Sequence, residues 1–110
     1  MGIHESVISY LKSGGCSPSL SGFKILSSVM EICLDNPEVS MSDLFDMYVV
    51  KENLPAAGRQ AKVAMRAAKY CFAKSPASKS STFEGFIRGF SSYFKGGTTG
   101  WEKAAGSYFS

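Results

Sequence analysis

Several kinds of residue are scarce in this chain, and each scarcity removes a class of protein. There is one histidine, His4, near the N-terminus, where a solvated side chain is the default. Nothing around it resembles the nucleophile turn that a Ser-His-Asp arrangement needs. There are three cysteines, Cys16, Cys33 and Cys71. The odd number and wide spacing argue against a disulfide framework, and a CxxC metal site is absent. Cys33 and Cys71 fall among apolar residues and are expected to be buried thiols. Cys16 lies in a Gly/Ser/Pro stretch and is expected to be exposed. The acidic residues are scattered, without the clustering that holds a hard cation. No glycine-rich phosphate loop follows a strand. Neither metal nor cofactor is expected, and an enzyme is disfavoured.

No apolar run approaches the length of a membrane span. The first ten residues lack the basic-then-apolar layout of a secretory signal. A cytoplasmic protein with no membrane partner is the expectation. At 110 residues, 45% of them hydrophobic, the chain has the material for one domain with one core.

Acidic residues are also scarce in the second half. Up to Glu52, three basic residues face seven acidic ones, a net of −4; beyond it, nine face only Glu84 and Glu102, a net of +7. Such a split suits a polyanion on one side of the molecule, and equally a solvated charged face.

What is present reads as helix throughout. Ile3, Val7, Ile8 and Leu11 make a short stripe at helical spacing, ended by Gly14-Gly15. A second helix, Gly22 to Asn36, is apolar around most of its circumference, as a central helix is. A third begins at Ser40 or Ser42, with Leu44, Phe45, Tyr48 and Val49 or Val50 inward, and ends near Asn53. The stretch SPASKSS is a polar linker, after which Ser80 or Ser81 caps a last helix to Phe94. Phe83, Phe86, Ile87, Phe90, Tyr93 and Phe94 make its core stripe. The predicted fold is all-α, a five- to six-helix bundle over residues 1–95. A Gly-rich tail, 96–110, adds at most one short helical turn near Trp101.

The fourth helix, Ala56 to Lys74, carries the most information. At 100° per residue, Ala61, Ala64, Met65, Ala68, Cys71 and Phe72 share one face. Arg59, Lys62, Arg66 and Lys69 fall within about 80° of one another on the other. No acidic residue interrupts the segment, so these cations have no i,i+4 partner on their own helix. Two helices joined by the short link Leu54-Pro55, the second basic outside, have the helix-turn-helix arrangement. The same shape occurs in bundles that bind no nucleic acid. On the first reading, Arg59, Gln60, Lys62, Val63 and Arg66 would face base edges, and Lys69 and Lys74 phosphates.

The chain also resembles a known family, the C-terminal effector domain of the master response regulator of sporulation in spore-forming Firmicutes. The likeness runs from Val7 to Phe94. It rests on VISYLKSGGCSPSLSGFKIL with its Gly22-Phe23 step, on AKVAMRAAKY against the family's recognition helix, and on FEGFIRGFSSYF against its closing helix. The resemblance implies a helical bundle with a helix-turn-helix and a transcription regulator that binds double-stranded DNA. At this length the chain is expected to be a stand-alone effector, without the room for a phosphoacceptor receiver domain; a homodimer on DNA stays open. At the family's two base-reading arginines this chain has Gln60 and Val63, with Lys62 at the intervening glutamate; Arg66 matches a basic position. Those differences set a second expectation beside the first, a helical protein-interaction module on the same fold that has lost sequence-specific DNA binding.

Overall fold

In the computed structural model, which describes residues 2–96, five α-helices and one short 3-10 helix account for the regular structure, with no strand among the described residues. They are α1 (Ile3–Ser13), α2 (Ser21–Asp35), α3 (Met41–Lys51), α4 (Ala57–Ala73), a 3-10 turn (Pro76–Lys79) and α5 (Phe83–Gly96). The tail and its expected turn near Trp101 lie outside the described residues. No helix among the described residues is long and apolar enough to cross a membrane.

The helix ends follow from local chemistry. After α1, Gly15 adopts φ +84, its N–H bonds to the Lys12 carbonyl, and the Cys16 N–H bonds to that of Leu11. This paired closure satisfies two orphan carbonyls and turns the chain back toward the core. The end of α3 uses the same device without glycine. Asn53 takes φ 54, its N–H reaches the Val50 carbonyl, and the Leu54 N–H reaches that of Val49. At the start of α3 the Ser40 hydroxyl accepts from the Asp43 N–H, so Ser40 is the cap. At α5 the capping hydroxyl is that of Thr82, which accepts from the Gly85 N–H at 3.0 Å, and not Ser80 or Ser81. The polar linker is partly ordered, since the 3-10 turn docks through the Ala77 N–H on the Gly14 carbonyl.

α2 is the hub, packing against α1, α3, α4 and α5. Leu26, Val29 and Met30 on it are fully buried. Against them lie Tyr10, Leu44, Phe45, Phe86 and Phe90, also fully buried or nearly so. The aromatic stripe of α5 is core, as its spacing predicts. Phe86 packs on Tyr10 at 4.9 Å and on Phe72 at 5.2 Å between ring centroids. The Tyr10 hydroxyl, deep in the core, donates to the Phe86 carbonyl, which satisfies the one polar atom of a buried ring.

Two further expectations change, and one open choice closes. Cys16 is buried, at 4% exposure, because the closure after Gly15 folds its loop inward against α4. Val49 is the inner residue of the third helix, and Val50 is 76% exposed. Met65 is only partly buried, packed on the edge of the core beside Phe45.

Candidate functional site

α4 is fixed from behind by small residues. Ala61, Ala64 and Ala68 are buried, with Cys71 and Phe72 completing the inner face. Alanines let neighbouring helices come close. One close approach is to Gly22 on α2, where a Cβ would stand 2.2 Å from the Ala67 carbonyl oxygen. The inner face is therefore closely packed while the opposite face meets solvent.

That outer face carries the predicted set. Arg59, Lys62, Val63, Arg66, Lys69 and Lys74 are all exposed, and Gln60 is half-buried at the flank. At 100° per residue Arg59, Val63, Arg66 and Tyr70 form a crest about 60° wide. Lys62 and Lys69 lie along one side of it and Lys74 at its far end. Among the described residues the ion pairs are His4–Glu31 and Arg88–Glu84, so none of these five cations has a carboxylate partner. Two of them rest on aromatic rings. Lys69 Nζ stands 5.7 Å from the Phe83 centroid and Lys74 Nζ 5.4 Å from that of Tyr70. Such contacts orient a lysine without neutralising it.

Tyr70 and the groove beside it were missed by the sequence reading. Tyr70 is 54% exposed and Val63 48%. Between them and the start of α2 runs an open groove of about 370 Å3, lined by Leu20, Gly22, Val63, Arg66, Ala67 and Tyr70 among others. The helical phase alone could have placed Tyr70 between Arg59 and Val63.

One cation of the basic half serves the fold instead. Arg88 pairs with Glu84 at 2.8 Å and donates to the carbonyls of Pro37 and Val39, each at 2.7 Å. It ties α5 to the loop between α2 and α3.

The thiols are set for packing and not for reaction. Burial pushes Cys16 up to about 11, with Cys71 beside it adding to the shift. Burial likewise raises Cys33 and Cys71. A thiol held protonated at neutral pH is a poor nucleophile and a poor metal ligand. No group of three His, Cys, Asp or Glu among the described residues could hold a metal ion.

The molecule thus presents a closely packed helix whose outer face bears five cations without a carboxylate partner, with Val63 and Tyr70 exposed among them. Comparison of the chain with family models, curated proteins and solved structures finds no match to any of them.

Proposed function

We propose that the chain is a DNA-binding transcription regulator that lays α4 in the major groove, with α3 and α4 acting as a helix-turn-helix. The observation that carries this reading is the row of exposed cations on α4 without a carboxylate partner. An α-helix fits the major groove, and cations on its outer face release counterions from the phosphates they meet. Arg59, Gln60, Lys62, Val63 and Arg66, in the first three turns, are the base-facing set. Lys69 and Lys74 lie further along and are assigned to phosphates. The closure at Asn53 and the short link that follows support the reading, because they set α3 directly against the back of α4.

A second reading is a protein-interaction module. It is favoured by Gln60 and Val63, which stand where the resembled family reads bases with arginine, and by the exposure of Val63 and Tyr70. Selection of bound duplexes from a random DNA pool at two salt concentrations separates the two. An enriched motif that survives the higher salt supports the regulator. Weak, salt-sensitive retention with no motif supports the interaction module. Stoichiometry on the enriched duplex separates one copy per site from a homodimer.

A further inference from the structure

We infer that the groove between the start of α2 and the outer face of α4 seats a thymine methyl group, so that the preferred duplex carries thymine opposite Val63. The inference rests on the DNA-binding reading and adds what the site selects.

The groove exists because of Gly22. With no side chain there, α2 approaches the Ala67 backbone, and the floor between the helices is formed by Gly22 and Ala67. Leu20 forms one wall, Val63 and Tyr70 the other, and the Arg66 side chain stands at the rim. Apolar surface left open on a helix face this basic needs an occupant that is anionic as a whole and apolar at one point. Arg66 lines the groove, and Arg59 and Lys74 share the crest beside it, all three without a carboxylate partner among the described residues. A nucleic-acid duplex supplies the negative charge. In the major groove of DNA the one apolar group on a base edge is the C5-methyl of thymine. Val63 is in the second turn of α4, within the part of such a helix that reaches base edges. Lys74 stands over the Tyr70 ring at the far end of the same wall.

The test compares thymine with deoxyuridine, which differ by that methyl alone. The duplex enriched from the random pool is resynthesised with each thymine in turn replaced by deoxyuridine. One replacement should weaken binding about three- to five-fold, the effect of one buried methyl, and the others by less than about two-fold. Val63→Ala should bind the thymine and deoxyuridine duplexes alike at that position. Val63 is half exposed, so the variant keeps its fold, and circular dichroism checks this. If a motif is enriched but every deoxyuridine duplex binds as well as its parent, the thymine seat is wrong and the DNA reading stands. The seat is also wrong if Val63→Ala still distinguishes the two bases. If no motif is enriched at either salt, the DNA reading fails and the seat fails with it.

Discussion

Gly22 on α2 lies against the backbone of Ala67 on α4, so near that a Cβ at Gly22 would fall 2.2 Å from the Ala67 carbonyl oxygen and 2.8 Å from Cys71 Cβ. Neither contact can be relieved by turning a flexible side chain, because the first is with backbone and the second with a Cβ fixed to it. Gly22→Ala must therefore push α4 away from the hub helix. The gain in helix propensity is smaller than the overpacking it causes. We expect a net loss of roughly 1–3 kcal/mol in urea unfolding. A variant as stable as the parent would show that the two helices are not in this contact.

Phe86 gives a larger effect of the opposite kind. It is fully buried between Tyr10 and Phe72, with a ring edge against Gly14. Phe86→Ala removes these contacts and leaves a cavity, at a cost of roughly 3–5 kcal/mol. A thermal melt unchanged from the parent would take α5 out of the core.

The turn between α3 and α4 stands on two non-glycine residues in the left-handed region, Asn53 at φ 54 and Ala56 at φ 52. Asparagine adopts that conformation at lower cost than alanine, so Ala56 is strained there. Asn53→Ala should lower stability by about 1 kcal/mol, and Ala56→Gly should raise it by about 0.5–1 kcal/mol. Denaturant midpoints measure both, and signs reversed from these would contradict the turn geometry.

Raised thiols make stability depend on alkaline pH. Cys16 titrates near 11 in the fold and near 9.0 when unfolded. Between those values the unfolded chain has lost the proton and the folded chain keeps it, so stability falls as pH rises. Cys33 and Cys71 act in the same direction, and buried Tyr48, also raised, joins them above pH 10. Stability should be flat from pH 7 to about 8 and decline from about 9 upward. Cys16→Ala should make the decline shallower. An equal decline in that variant would remove Cys16 from the account.

Much of this was legible in the sequence, for reasons that differ from element to element. The alanine phase of α4 and the aromatic phase of α5 each repeat over three turns or more, and both faces stand where the period puts them. The cation row was legible for the same reason, since helical phase fixes what is opposite a buried face. Single positions were harder. Ser80, Ser81 and Thr82 are consecutive hydroxyls with similar capping ability, and which one caps depends on where the 3-10 turn releases the chain. Cys16 sits in a composition typical of exposed loops. Its burial is set by the Gly15 closure and the docking of Ala77 on Gly14, which join parts of the chain far apart in sequence. Arg88 counted toward the basic half, yet two of its hydrogen bonds are to carbonyls some 50 residues away. The groove beside Tyr70 requires the approach of α2, which no pattern within α4 contains.

The central claim is that the outer face of α4 reads DNA, and a salt titration of two variants tests it most directly. Arg66 is on the crest beside Val63, and Lys69 is on the flank, leaning over Phe83. On the enriched duplex, Arg66→Ala should lose about 1–3 kcal/mol of binding and relax selectivity at one base position. Lys69→Ala should weaken binding to all duplexes alike and lower the salt slope by about one. If both variants remain folded and leave affinity, selectivity and salt slope unchanged, α4 is not a DNA-reading helix.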